Sequence, residues 1–272
     1  MRPLRPIFKA FTHPFLAVHQ AVLASGTIAA VLLGSAAGSV GSIAKEIVGG
    51  TTITVGESNT EAQRGELLEF FGASSDAQVI EVTVSETNDA MGGVFGDQVI
   101  QSAYSSTSFT CRDLGDGLEV ATRNIEVVTP AVFALALVTA GIGDGTLVVA
   151  APSDSPAQGM TALTGVFRTW EVAPCDTGQT NPARQRLALE EISLVATIGK
   201  RLVAEGIADG ITRSSDTVLE TQKTIINERL RDVDAIDVAL AEQERIHQVR
   251  IPAAERAQLV KLFLRLAISA ID

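Results

Sequence analysis

The sequence is poor in aromatic and in basic residues. Of its 272 residues only 4% are aromatic, and 21 Lys and Arg stand against 32 Asp and Glu, which gives a net charge of −11. Because an acidic chain repels a phosphate backbone, we expect no nucleic-acid partner. Since 46% of the residues are hydrophobic, the composition also excludes a disordered tail and a small disulfide-rich knot.

Histidine is scarce too, and several kinds of site lack their residues. Beyond residue 44 the one histidine is His247, in a charged helical stretch with no nucleophile beside it, so Ser–His and Cys–His hydrolysis are disfavoured. Structural zinc needs four Cys or His ligands, and no calcium-loop spacing is present. Because the phosphate-loop and dinucleotide motifs are also missing, we expect neither a metal nor a cofactor.

The chain has two cysteines, Cys111 and Cys175, far apart in the sequence. In an exported protein such a pair most simply forms one disulfide. The chain-entropy model gives that bond a stabilisation on the order of 4 kcal/mol. The alternative is two separate buried thiols, because the bond requires Cα atoms within about 7 Å.

The first 44 residues have the composition of an export signal. Three basic residues and no acidic one precede an uncharged stretch, 20–44, that is rich in Ala, Val, Leu and Gly. Cleavage is expected after Ala37 or Ala44. The alternative is a retained membrane anchor, since this stretch is long enough to cross a bilayer. Either way, the pattern predicts an extracytoplasmic protein, secreted or anchored facing outside.

Residues 45–176 alternate between strand and helix patterns, which predicts an α+β domain with a mixed sheet and packed helices. A capping box begins a helix at Thr60, Thr129-Pro130 begins another, and further helices are expected over 89–102 and 160–170. The strand before Gly115-Asp116-Gly117 and the strand after it are expected to pair as a hairpin. Strands are predicted at 51–55, 79–84, 106–112, 118–124 and 146–151.

Beyond a polar, proline-flanked boundary only helical patterns remain, so 182–272 is predicted to be a helical domain. Its last helix, about 253–269, is apolar on two faces, which is typical of a helix packed between partners. The partners are either other helices of this chain, or a second copy or an envelope component that docks on the helix.

The best candidate ligand site is the start of the 160–170 helix. Residues 159–165 follow a strand and open a helix, where open α/β sheets bind anions. Thr161, Thr164 and Arg168 are the candidate binding residues. The alternative is structural: Gly159 and Gly165 allow close packing of helix on sheet, and Thr161 caps the helix.

Paired carboxylates are the remaining candidate for chemistry, since two of them can cleave a glycosidic bond. The candidates are Glu190-Glu191, which diverge by about 100° on a helix, and the cluster Asp232, Asp234 and Asp237. No catalytic residue is assigned from these patterns. They leave two readings: an exported, non-enzymatic binding or scaffolding module of the envelope, or a carboxylate-dependent hydrolase of cell-wall polysaccharide.

Several segments together resemble a known family. They are Ile53–Gly56 before the Thr60 helix, Val79–Thr83, Thr139–Ile142, Val148–Pro152, and Gly159–Gly165 with Glu171. In order and spacing they resemble the domain-of-unknown-function family numbered 1002, over about residues 50–270. The resemblance implies an extracytoplasmic protein with a signal peptide and a helical C-terminal part. It implies no activity, cofactor or catalytic residue.

Overall fold

The first half of the described chain contains a mixed five-stranded sheet. The computed structural model describes residues 50–75, 77–91, 99–113, 115–172 and 182–271. The predicted leader and Cys175 lie outside these ranges. The strands are β1 (Thr51–Gly56), β2 (Gln78–Val82), β3 (Ser106–Cys111), β4 (Leu118–Arg123) and β5 (Gly145–Ala150).

The strand order is β2-β1-β3-β5-β4, and β3 is the strand that runs against the others. Strand β3 pairs antiparallel with β1, where its Thr107 lies opposite Thr54. It also pairs antiparallel with β5, where its Ser106 lies opposite Ala150. The pairs β1–β2 and β4–β5 are parallel. The carboxyl ends of β1, β2, β4 and β5 therefore share one edge of the sheet with the amino end of β3.

This order corrects the predicted hairpin. The strands on either side of the Gly115-Asp116-Gly117 turn do not pair, because β5 lies between them. The turn instead crosses over β5 and is held by Asp144, whose Oδ1 accepts the N–H groups of Gly115 (3.0 Å) and Gly117 (2.7 Å).

Eight helices accompany the sheet within the described residues. They are α1 (Glu61–Phe70), α2 (Val84–Met91), α3 (Pro130–Ala140), α4 (Met160–Val172), α5 (Pro182–Ala204), α6 (Gly210–Glu228), α7 (Val233–His247) and α8 (Ala253–Ile271). The fold is α+β, as predicted. None of the helices in the described part of the chain is long and apolar enough to span a bilayer.

The helices cover both faces of the sheet. Helix α1 covers the face of Ile53, Val55 and Ala150 with its own Leu67. The opposite face, which carries Leu147 and Val149, belongs to the larger core shared with α3, α4 and the C-terminal helices. All ten residues of 131–140 in α3 are buried, because this helix lies between the sheet and α5 and α6.

The two apolar faces of α8 are largely covered within the chain. Leu259, Leu262, Phe263 and Leu266 are buried in the core that α8 shares with α5, α6 and α7. Ile268 remains more than half exposed. The intramolecular bundle therefore accounts for most of the apolar surface that the sequence places on this helix.

Candidate functional site

A pocket of about 590 Å³ lies at the shared carboxyl edge of the sheet. Three segments line it: 99–105, which leads into β3; Glu126, which follows β4; and 156–161, which leads into α4. Small-molecule sites have volumes of this order, and open α/β sheets bind ligands at the carboxyl ends of their strands. This pocket is the candidate site.

The wall formed by 99–105 is fixed by hydrogen bonds to neighbouring elements. Asn88 of α2 donates its amide to the Ile100 carbonyl and accepts the Ile100 N–H, both at 2.8 Å. Ser58 and Ala103 exchange two further bonds, at 2.9 and 3.0 Å. A Cβ on Gly56 would overlap the Ala103 carbonyl, so the close approach of this segment to β1 requires glycine.

The opposite wall joins the ends of β4 and β5. The N–H of Glu126 donates to the Ala157 carbonyl, and the N–H of Val128 donates to the Gln158 carbonyl, both at 2.9 Å. Gly159 has φ +101°, and a Cβ there would lie 2.9 Å from the side chains of Ile125 and Val128. Glycine thus lets the chain turn sharply into α4 at the floor of the pocket.

The first turn of α4 carries the unpaired donors of the pocket. Ser105, only 2% exposed, accepts the Ala162 N–H at its hydroxyl, 3.0 Å away. Thr161 is 3% exposed and lines the pocket. Within the described residues, neither its hydroxyl nor the backbone N–H groups of Met160 and Thr161 have a hydrogen-bond partner. N–H groups in the first turn of a helix have no acceptor within that helix and can donate to a bound group, so this end of the helix is suited to a ligand.

Among the described lining residues, Glu126 is the one Asp, Glu, Lys, Arg or His. Tyr104 adds one half-buried aromatic ring. Hydroxyl and amide groups come from Gln101, Ser102, Ser105, Gln158 and Thr161.

Of the three residues proposed from the sequence, the described lining includes Thr161 and neither Thr164 nor Arg168. Thr164 is 4% exposed, and its hydroxyl lies 3.5 Å from the Met160 carbonyl within the helix. The Arg168 guanidinium lies beside Glu86 of α2 (3.6 Å) and Glu171 (3.4 Å). Thr164 therefore bonds within α4, and Arg168 pairs within α4 and with α2.

The sequence did not point to Ser105 or Glu126. Ser105 precedes β3 by one residue and reaches the carboxyl edge because β3 runs against its neighbours. That direction is not visible in a strand pattern. Glu126 is one acidic residue among many in a loop, and nothing in its local sequence distinguishes it.

The structure separates the candidate carboxylate pair. Glu190 forms an exposed ion pair with Arg265 of α8. Glu191 is fully buried and accepts a hydrogen bond from the Thr139 hydroxyl of α3, and burial raises its pKa to about 8. The two carboxyl groups thus face different surroundings, as the 100° divergence predicts.

The aspartate cluster has structural partners. Asp232 caps α7 by accepting the Ala235 N–H at 2.7 Å, and Asp237 binds Arg256 of α8 at 2.7 Å. His247, at the end of α7, is half-buried. Within the described residues no group of three His, Cys, Asp or Glu side chains has the arrangement of a metal site.

Comparison with known proteins identifies the family. The model of the family described as "Protein of unknown function (DUF1002)" matches residues 55–272. The chain belongs to this family. The resemblance drawn from the sequence is therefore confirmed, and the match includes every described wall of the pocket.

A relative of this DUF1002 protein occurs in Bacillus subtilis (strain 168). It carries the name "Uncharacterized protein YpuA" and is 28% identical over 233 residues, which cover 85% of this chain and 77% of the relative. No solved structure matches the chain. The family and this relative bring no activity, so the function must be argued from the site.

Proposed function

We propose that this DUF1002 protein is exported and acts at the cell envelope as a binding protein, with its ligand in the pocket at the carboxyl edge of the sheet. The observation that carries the proposal is Thr161. This residue is 3% exposed and lines the pocket, and its hydroxyl has no hydrogen-bond partner among the described residues. A ligand that accepts from this hydroxyl satisfies it.

The rigidity of the walls supports binding. Segment 99–105 and the Glu126 loop are each held by paired hydrogen bonds to neighbouring elements. A pocket that exists before the ligand arrives saves the free energy of ordering its loops. The export part of the proposal is supported by the composition of residues 1–44.

We propose binding without turnover because of the carboxylates. Glycoside hydrolysis by paired carboxylates needs a second acid about 5–10 Å from the first. Among the described lining residues Glu126 is the one carboxylate. The candidate acids Glu190, Glu191 and Asp232 lie on or before the C-terminal helices and have structural partners of their own.

Native mass spectrometry of the protein purified from its own host tests the proposal. We expect a bound species that adds mass to the wild-type protein and that is lost or at least tenfold weaker in Thr161→Val, which removes the hydroxyl and keeps the shape. Thr197→Val is the control, since Thr197 is exposed on α5 and its hydroxyl donates to the Ser193 carbonyl of the same helix.

Two results would overturn the binding role. One is a protein that carries no ligand and shows no saturable binding to any fraction of an envelope extract. The other is bound mass that Thr161→Val leaves unchanged. Release of cleaved saccharide from wall material by the wild-type protein would instead favour the hydrolase.

A further inference from the structure

The pocket presents a positive end and a negative end. The positive end is the amino terminus of α4, a helix of 13 residues. The partial positive charge of such a terminus, with free N–H groups at Met160 and Thr161 among the described residues, favours a carboxylate. The unpartnered hydroxyl of Thr161 lies in the same turn and supplies a further donor.

The negative end is Glu126. No Lys or Arg side chain belongs to the described lining, so no cation of the pocket neutralises this carboxylate. A ligand with only an anionic group would therefore meet repulsion from Glu126. A ligand with only a cationic group would leave the donors of α4 unpaired.

The two ends are close enough for one small ligand. The Glu126 N–H bonds the Ala157 carbonyl at 2.9 Å, and Ala157 is three residues before Met160. Three residues span at most about 11 Å. A dipeptide in extended form has a length of about 7 Å, which lies within this upper bound.

Building on the proposed binding role, we infer that the pocket takes a zwitterionic ligand, an amino acid or a short peptide. The ligand carboxylate accepts hydrogen bonds from the first turn of α4 and from Thr161, and the ligand ammonium pairs with Glu126. Ser102 and Gln158 also line the pocket, and their hydroxyl and amide groups can serve as donors and acceptors for a peptide group.

The test is a binding titration of the full chain with four forms of one probe. They are alanyl-alanine, its N-acetyl form, its C-terminal amide, and the peptide blocked at both ends. We expect the free dipeptide to bind at least tenfold more tightly than either singly blocked form, because each block removes one charged contact.

Two variants assign the ends. Glu126→Gln should weaken the free dipeptide at least tenfold and leave the N-acetyl form unchanged. Thr161→Val should weaken the free dipeptide and the N-acetyl form more than the C-terminal amide, because the uncharged amide carbonyl is a weaker acceptor than a carboxylate. Glu119→Gln is the control for charge, because Glu119 lies on β4 outside the pocket lining and pairs with Arg112 at 2.9 Å.

The outcomes separate this inference from the proposed function. Binding of the doubly blocked peptide as tight as that of the free one, or an unaffected Glu126→Gln variant, overturns the zwitterion inference. If a chitin-type oligosaccharide binds and Thr161→Val abolishes that binding, the binding role stands and the zwitterion inference falls. If neither the peptides, the oligosaccharide nor an envelope extract binds, both fall.

Discussion

Glu191 is a buried acid at the junction of three helices. The Thr139 hydroxyl of α3 donates to its Oε2, and Gln222 of α6 donates to the Thr139 hydroxyl at 2.6 Å. Within the described residues Glu191 Oε1 and Gln222 Oε1 have no hydrogen-bond partner. Burial opposes ionisation more than the Thr139 bond favours it, so the pKa of Glu191 rises from 4.5 to about 8.

This shift predicts a pH-dependent stability that Glu191→Gln removes. Between about pH 4.5 and pH 8 the folded chain keeps a proton that the unfolded chain has lost. The contribution of protonated Glu191 to the free energy of unfolding is therefore complete below pH 4.5 and is lost as the pH rises to 8. Over this range the free energy of unfolding falls by up to about 1.4 kcal/mol per pH unit. Denaturant unfolding across this range should show a flatter profile for Glu191→Gln than for the wild type.

The neighbouring acid provides the control for that measurement. Glu190 is exposed and pairs with Arg265, so Glu190→Gln should keep the wild-type slope. Equal slopes for the wild type and Glu191→Gln would mean that Glu191 is already ionised in the folded protein at neutral pH.

Two glycines inside helices should respond in opposite ways to alanine. A Cβ at Gly165 of α4 would overlap the Thr54 hydroxyl of β1 and lie 3.1 Å from the Thr54 Cβ, so Gly165→Ala should destabilise by about 1–3 kcal/mol. At Gly65 of α1 a Cβ meets nothing within 4 Å, so Gly65→Ala should stabilise by about 0.5–1 kcal/mol. Thermal unfolding of both variants measures the difference. A stabilised Gly165→Ala would contradict the close packing of α4 on β1.

At the scale of elements, capping residues in the sequence predicted where several helices begin and end. The Thr60–Gln63 capping box is present, Thr129 caps α3, and Gly141 ends α3 with φ +99°. The same chemistry begins α2, where Thr83 and Glu86 exchange side-chain and backbone bonds at 2.8 and 3.0 Å. The predicted 89–102 helix was wrong at both ends: α2 begins at Val84, which was assigned to the preceding strand, and residues 99–102 are not helical. Residues 92–98 of that prediction lie outside the described residues.

Strand pairing was not predictable in the same way. Each predicted strand lies within two residues of an observed one, since β-branched runs identify strands locally. The Gly-Asp-Gly turn indicated a hairpin, yet β5 lies between β3 and β4. Pairing with β5 buries Leu147 and Val149 beneath α3 and α4, and this gain depends on residues distant in sequence.

Asp144 should be essential to this crossover. It is 5% exposed and satisfies the N–H groups of Gly115 and Gly117 from the loop before β5. Asp144→Ala leaves both donors without that acceptor and should destabilise by about 1–3 kcal/mol. In chemical denaturation, Asp116→Ala serves as the control, because the exposed Asp116 lies 3.9 Å from Arg112 and its loss should cost less than about 0.5 kcal/mol. Equal losses would show that the turn is not held by Asp144.

At the scale of the molecule, the location of the site was easier to predict than its residues. A glycine-flanked helix start after a strand indicated the 159–165 region, and Thr161 lines the pocket. Two other lining residues, Glu126 and Ser105, come from segments more than thirty residues away from Thr161 in the sequence. They meet because β3 is reversed and because the segment after β4 pairs with Ala157. Local patterns contain neither fact.

For the molecule as a whole, we expect the mature protein to lack its leader and to contain a disulfide between Cys111 and Cys175. Cys111 ends β3 and is partly buried, and the predicted partner Cys175 follows α4, the helix that crosses β3 and β1. Non-reducing mass spectrometry of the protein from its host should give a chain that begins after Ala37 or Ala44 and is two hydrogens lighter than its reduced form.

A cysteine variant measures the effect of the disulfide on stability. Cys175→Ser should restore the two hydrogens and lower the free energy of unfolding by on the order of 4 kcal/mol, because the unfolded chain loses its cross-link. If both wild-type thiols react with an alkylating reagent after unfolding without reductant, the disulfide is excluded. A full-length mass in a membrane fraction would instead identify residues 20–44 as an anchor. The binding pocket would then act at the membrane surface, since the sheet begins only a few residues after that stretch.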